Sequence, residues 1–449
     1  MVTSRAAPDH DRWPPRTLLG FAAAVGVFGV VGTGCPRAAA PAGPGLAASG
    51  WTLGADRLGT GAIVAIAPAG PDIIVATAEA VRRIGIDGAV AWSRAVPAAP
   101  SVVAVGGGLI AVAIEGETDA AALAAAGIVG LPDGLRGAPG AAVIALGDDG
   151  APRWTVGVGA TRWAMVRALA VDGDEVVVGG TFAGTLRIGD KVVTAAGSAD
   201  GFWARLDGQG ALITLARIGG DGFDAVTGVA ALTDGRIAVG GTFTGTAELA
   251  GTELESPKGD QVGGDGFVAV HDRAGALAWA RTWGGELEDT CAGVAALAGG
   301  EVAIAGTVTG EIEVAGRRLT TAGISDGLVA VLGADGAVRG AALLGGPDVD
   351  SITALAASGT HAVVAGRFSG TIATRHGAVS APSADAAFVA AVDREGVLGL
   401  APIASAAATI EARLAADDRG WVLAAHADLP LALGADAQPA GSALWRRPW

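Results

Sequence analysis

Gly210-Ala-Leu-Ile-Thr-Leu-Ala-Arg-Ile-Gly-Gly220 matches Gly275-Ala-Leu-Ala-Trp-Ala-Arg-Thr-Trp-Gly-Gly285 without a gap, and both match Gly336-Ala-Val-Arg-Gly-Ala-Ala-Leu-Leu-Gly-Gly346. Three more anchors surround these stretches in one fixed order. Gly228-Val-Ala-Ala-Leu232 returns as Gly293-Val-Ala-Ala-Leu297. Gly240-Gly-Thr-Phe-Thr-Gly245 returns as Gly179-Gly-Thr-Phe-Ala-Gly184, Ala305-Gly-Thr-Val-Thr-Gly310 and Ala365-Gly-Arg-Phe-Ser-Gly370. Asp265-Gly-Phe-Val-Ala-Val270 returns as Asp200-Gly-Phe-Trp-Ala-Arg205 and Asp326-Gly-Leu-Val-Ala-Val331. The first stretch begins at 210, 275 and 336, intervals of 65 and 61 residues. Self-similarity at such a period marks a repeat architecture.

Each copy reads as four short strands. In one copy these fall at 226–232, 236–243, 266–272 and 276–283, joined by tight-turn sequences such as Thr233-Asp-Gly235 and Arg273-Ala-Gly275. The strands are almost continuously apolar, as expected of sheets covered on both faces. One four-stranded sheet per repeat is the blade of a β-propeller. Innermost strands are expected at 62–67, 101–105, 166–171, 226–232, 292–297, 352–356 and 412–416. The expectation is an all-β, seven-bladed propeller. Its first copy is the shortest because it lacks an insertion present in the others. The last copy stops at Trp449, with no room for a fourth strand after Ser442-Ala-Leu-Trp445. Gly50-Trp-Thr-Leu-Gly-Ala-Asp-Arg-Leu-Gly-Thr60 aligns with Gly210–Gly220, so residues 50–58 are expected to complete that blade and close the ring.

Composition agrees with a turn-rich β protein. The 449 residues include 74 Gly, and no long stretch has helical periodicity. There is no Tyr, and Lys occurs only at Lys191 and Lys258, a bias that fits GC-rich coding. The net charge of −15 argues against nucleic acid as a partner, since phosphate binding needs clustered Lys and Arg. It reads as solubility for an otherwise apolar chain. Two cysteines, Cys35 and Cys291, exclude a disulfide framework or a Cys-rich metal site.

The N-terminus has the order of an export signal. Arg5, Arg12 and Arg16 precede an uncharged apolar run over 17–34, and small residues lead to Cys35. Residues 1–35 are therefore expected to be a signal segment, 36–49 a low-complexity tether, and 50–449 the propeller. Gly32-Thr33-Gly34-Cys35 resembles the bacterial lipobox, which implies lipidation of Cys35. Gly32 stands where that pattern usually has Leu, Val or Ile. A plain cleaved signal and an uncleaved anchor are the alternatives, and the run is short for spanning. In lipoproteins an Asp after the cysteine favours inner-membrane retention; Pro36 is there instead, which points to the outer membrane.

These repeats resemble the bacterial β-propeller repeat family of secreted and lipid-anchored proteins. The resemblance covers about residues 50–449 and implies the fold rather than an activity. Trp92, Trp154 and Trp279 give a weaker likeness to quinone-binding propeller repeats. Without the full docking pattern of those repeats, no quinone cofactor is inferred.

Candidate site residues each have a structural reading beside the functional one. Gly323-Ile-Ser325-Asp-Gly327 matches G-x-S-x-G, but it enters a third strand rather than forming the strand-to-helix elbow that hydrolysis needs. Asp200, Asp265 and Asp326 recur before the third strand, with Asp385 offset by one residue. Asp221, Asp224, Glu288, Asp289, Asp348 and Asp350 lie in links between blades, and these acids should gather on one rim. Such a ring could bind Ca²⁺ or a basic partner. Repetition favours Asx turns, since every blade needs a turn whereas a metal site is needed once. The insertion between second and third strands, as at 186–189, 247–251, 312–316 and 431–434, suggests a hairpin projecting from that rim to grip a partner or glycan, or to cap the blades. Cys291 should be a buried, inert thiol. His271, His361, His376 and His426 occupy non-equivalent positions and form no metal-ligand spacing.

The functional expectation is a non-enzymatic, monomeric binding or scaffold module of the cell envelope, exported and held at the membrane by lipid alone, or secreted. Its partner would be an envelope protein or glycan. A propeller lyase or hydrolase with its site at the channel mouth is the alternative. A third reading is an assembly factor similar to propeller lipoproteins of outer-membrane protein insertion.

Overall fold

The copy read above folds within one residue of its expected strand ends. Ala225–Ala231, Ile237–Phe243, Asp265–His271 and Leu277–Gly284 form an antiparallel meander. Gly235 and Gly275, at φ +79° and +89°, turn the chain between strands one and two and between strands three and four. The structure is a computed structural model. It describes residues 51–53, 62–85, 87–117, 139–255, 263–285, 287–374, 377–381, 386–393, 396–405, 411–427, 431–433, 436–438 and 441–447. Among them the one helical piece is a 3-10 turn, Ala298–Gly300. The chain is all-β, with its meanders in a β-propeller arrangement.

First strands of successive meanders stand side by side. Ile63–Ala69 lies against Pro100–Gly106, followed by Trp163–Asp172, Ala225–Ala231, Thr290–Ala296, Ser351–Ser358 and Glu411–Asp417. The last of these lies against Ile63–Ala69 again. Side chains tie some neighbours directly. Ser101 Oγ donates to Val166 O at 3.1 Å, and Thr227 Oγ1 to Cys291 O at 2.7 Å. Arg413 Nε donates to Val64 O at 2.8 Å, joining the last inner strand to the first. The core consists of layers between blades. One layer joins Ile63, Ile66, Ile73, Val75 and Ile84 to Ala415, Val422, Ala424 and Leu444.

The N-terminal strand lies where the missing fourth strand was expected. Trp51–Leu53 pairs antiparallel with Gly441–Arg447, placing Trp51 opposite Arg446 and Thr52 opposite Trp445. Residues 54–58 lie outside the described residues.

The inserted hairpins depart from the expectation of a crown projecting from the rim. Four of them pair sideways with the outer strand of the preceding blade. Thr185–Ile188 pairs with Pro152–Ala160, and Thr246–Leu249 with Leu212–Gly219. Val302–Val314 runs on to pair with Leu277–Gly284, and Leu431–Leu433 pairs with Gly396–Ser405. Thr371–Thr374 with Gly377–Ser380 forms a two-stranded sheet of its own. The cause lies in the alternation itself. Leu186, Ile188, Ala247, Leu249, Ile312 and Val314 are all buried. Their apolar row needs a surface, and the preceding outer strand is an edge that needs a partner.

The Gly-Gly pairs that end the fourth strands have separate tasks. A Cβ on Gly220, Gly285 or Gly346 would overlap the backbone entering the next blade's hairpin, at Thr246 O, Glu311 O or Ser369 O. A Cβ on Gly219, Gly284 or Gly345 would strike the carboxylate of Asp200, Asp265 or Asp326. The recurring Gly-Gly and Asp-Gly motifs are therefore two halves of one contact.

On the opposite face, tryptophans fasten neighbouring blades. Trp92 Nε1 donates to Asp148 O at 2.8 Å, Trp154 to Gly208 O at 3.0 Å, and Trp279 to Ala334 O at 3.0 Å. Their rings lie against Gly150, Gly210 and Gly336 of the following blade. Thr214 replaces the tryptophan between the blades at 163–219 and 225–284. There Trp203 and His271 pack with ring centroids 4.8 Å apart and planes tilted by 45°, and Arg205 Nη1 donates to Arg273 O at 3.4 Å.

Candidate functional site on the interblade rim

The link between blades and the connection from second to third strand run side by side on one face. Ala199 bridges to Phe223 and Ser325 to Val349, both parallel. Asp289 N donates to Gly264 O at 2.7 Å. The acids of that rim divide into two sets. Asp224, Asp289 and Asp350 are fully buried, whereas Asp221, Glu288 and Asp348 are exposed.

The buried set is a repeated latch. Asp224 accepts from Gly220 N at 2.8 Å and Thr244 N at 3.0 Å. Asp289 accepts from Gly285 N at 2.7 Å and Thr309 N at 2.8 Å. Asp350 accepts from Gly346 N at 2.5 Å and Ser369 N at 2.6 Å. Each carboxylate joins the end of one blade to the hairpin entry of the next, and satisfies two amides that the strand ladders leave free.

A second carboxylate stands beside each latch. Asp200, Asp265 and Asp326 are also buried. Asp200 accepts from Ala196 N at 2.9 Å and pairs with Arg217 Nη1 at 2.6 Å. Asp326 accepts from Ala322 N at 2.8 Å. Burial pushes Asp224 up to about 6; the Asp200 carboxylate adds to the rise, while the Gly220 and Thr244 amides and Arg217 oppose it. Burial pushes Asp289 up to about 7, with Asp265 and Glu288 adding and the Thr309 and Gly285 amides opposing. Thr282 occupies in that blade the place of Arg217, so the latch lacks the cation. Burial likewise raises Asp326, and Asp350 adds to it.

The exposed set alternates with apolar tips. Phe223, Leu287, Ile324 and Val349 are among the exposed large hydrophobic residues. The remaining sequence candidates fall elsewhere. Ser325 of the G-x-S-x-G match lies within the continuous strand Arg317–Leu332, not in a loop, and its Oγ donates to Asp350 O at 3.0 Å. Cys291 is buried, and burial pushes its thiol up to about 12. His271 sits in a third strand, where burial holds it below the usual imidazole range. His361 and His426 lie in second strands. Cys35, His376 and Asp385 lie outside the described residues. Among the described residues no group of three or more His, Cys, Asp or Glu is disposed to hold a metal ion. None of their helices is long and apolar enough to cross a membrane.

The sequence did not reveal the latch partners Thr244, Thr309 and Ser369. The one available signal was their recurrence directly after the second-strand Phe243, Val308 and Phe368.

No family model and no curated protein matches the chain. Similar solved structures include BamB from Moraxella catarrhalis, at 14% identity over 88% of this chain and 98% of that chain, with a TM-score of 0.39. The computationally designed Ika8 protein is 14% identical over 86% and 96%, with a TM-score of 0.40. The Pan2 WD40 domain of Neurospora crassa is 11% identical over 78% and 89%, with a TM-score of 0.38.

Proposed function

We propose that the chain is a non-enzymatic binding or scaffold module of the bacterial cell envelope, built as a seven-bladed propeller and carried on a lipid at Cys35. The blade number is supported by the cycle of inner-strand neighbours from Ile63–Ala69 to Glu411–Asp417 and back. Closure by the N-terminal segment is supported by the pairing of Trp51–Leu53 with the strand at 441–447. The observation that carries the binding reading is the use made of the recurring polar groups. The buried aspartates hold backbone amides, and Trp92, Trp154 and Trp279 hold carbonyls of the next blade. These groups fasten blades together, which leaves the exposed rim and outer surfaces for recognition.

Residues 1–35 have the layout of a lipoprotein signal, which supports the anchor. Export in a bacterial host is expected to give a mature chain beginning at Cys35, with a mass raised by acyl chains and recovery in the membrane fraction. Cys35→Ser should release it to the soluble fraction. A wild-type chain that retains residues 1–34, or begins at Cys35 without acyl mass, would overturn the anchor.

A further inference from the structure

We infer that the rim spanning the links at 220–224, 285–289 and 345–350 is a docking face for a basic amphipathic protein segment. The inference rests on the binding-module reading and adds the place and the chemistry of the partner.

Four of the seven exposed large hydrophobic side chains among the described residues lie on this rim. Phe223 is 51% exposed, Leu287 54%, Ile324 64% and Val349 54%. The other three, Val90, Val192 and Ile213, are on fourth strands or a hairpin. Phe223, Leu287 and Val349 occupy three successive links. Ile324 joins Val349 because Ile324 N donates to Asp348 O at 2.9 Å beside the Ser325–Val349 bridge. Exposed apolar side chains repeated along one face of a folded chain cost solubility, and such faces mark interaction surfaces.

Charge selects the occupant. The described residues of the segments that build this rim, 195–199, 220–224, 263–264, 285, 287–289, 321–325 and 345–350, contain six Asp and Glu, three of them exposed, and no Lys or Arg. Exposed Asp221, Glu288 and Asp348 alternate with the apolar tips. A second copy of this face would bring like charges together, and an anionic lipid surface would be repelled. A segment carrying apolar side chains flanked by Lys or Arg meets both features. The tips are also held in place beforehand. Each link is fixed from beneath by the amide bonds to Asp224, Asp289 or Asp350, so little ordering cost remains on binding.

The test uses the mature full-length protein and a synthetic amphipathic peptide of Leu and Lys, with a Leu and Glu peptide as its counterpart. Fluorescence anisotropy should show salt-sensitive binding of the Lys peptide only. The variant F223S/L287S/I324S/V349S should weaken it by about tenfold or more. The variant D221N/E288Q/D348N should weaken it and flatten the salt dependence. V90S/V192S/I213S should bind as wild type does. No binding to wild type, or equal weakening by V90S/V192S/I213S, would overturn the inference. So would binding to phosphatidylcholine and phosphatidylglycerol vesicles that depends on the same four apolar residues. Binding lost instead in D148N/D149N/D174N, on the opposite face, would overturn this docking face and leave the binding-module reading standing.

Discussion

Trp445→Ala is expected to destabilise the protein by about 3–5 kcal/mol, the range for truncating a fully buried tryptophan. Trp445 has no exposed surface. It belongs to one buried apolar cluster with Trp421, Ala356, Val363, Val389, Ile403 and Leu433. Its backbone lies between Leu423 on one side and Thr52 on the other. The cavity would therefore open beside the pairing of Trp51–Leu53 with the strand at 441–447. Its Nε1 has no hydrogen-bond partner among the described residues, so the loss is one of packing rather than of a polar contact. Trp445→Phe keeps most of the ring and should lose less than half as much. Urea unfolding monitored by circular dichroism would measure both. A Trp445→Ala midpoint equal to that of wild type would contradict the packing described here.

Stability is expected to fall as pH rises from 4 to above 7, through Asp224 and Asp289. Their folded-state values, about 6 and about 7, stand above the ordinary 3.8 of an aspartate. Between those limits the native state holds protons that the unfolded chain has released. Their contribution is thus complete below about pH 4 and lost as pH rises through 6 and 7. At 1.36 kcal/mol per pH unit, the change is about 3 kcal/mol for Asp224 and about 4 kcal/mol for Asp289. Asp289 faces Asp265 and Glu288, whereas Asp224 faces Asp200 and Arg217. Thr282→Arg copies the arrangement of the neighbouring blade and should shrink the Asp289 share. Asp289→Asn should remove it. Urea midpoints at pH 5 and pH 8 would decide. A midpoint that rises over this interval, or a fall unaffected by Asp289→Asn, would contradict the burial of these carboxylates.

The strands were legible because each repeat writes them locally. Apolar runs between Asp/Gly turns placed the strands of the 225–284 blade within one residue of their ends. The hairpin pairing was not legible, because its partner belongs to the preceding repeat. Leu249 meets Ile218, 31 positions earlier, and nothing near either residue specifies the pair. The tryptophan contacts share this property. Trp279 docks on a turn 55 residues away, and the repeat shows only that a tryptophan recurs. The division of the rim acids into a buried and an exposed set is not legible in the sequence. Glu288 and Asp289 are adjacent in sequence, one exposed and the other buried under two amide bonds. That difference comes from the parallel contact between link and loop, which forms only once the blades are assembled. The exposure of the apolar tips Phe223, Leu287 and Val349 is not legible for the same reason. In sequence they look like any other apolar residue beside a strand.

The proposed closure of the propeller by Trp51–Leu53 is tested most directly by a cross-link. Trp51 and Arg446 are partners in the ladder, and antiparallel partners lie about 4.5–5.5 Å apart at Cα, within reach of a disulfide. In a Cys35→Ser/Cys291→Ser background, Trp51→Cys with Arg446→Cys should form one intramolecular disulfide on mild oxidation, with raised thermal stability. Trp51→Cys with Thr214→Cys should not. A Trp51→Cys/Arg446→Cys chain that keeps both thiols, or forms only intermolecular disulfides, would contradict the closed ring.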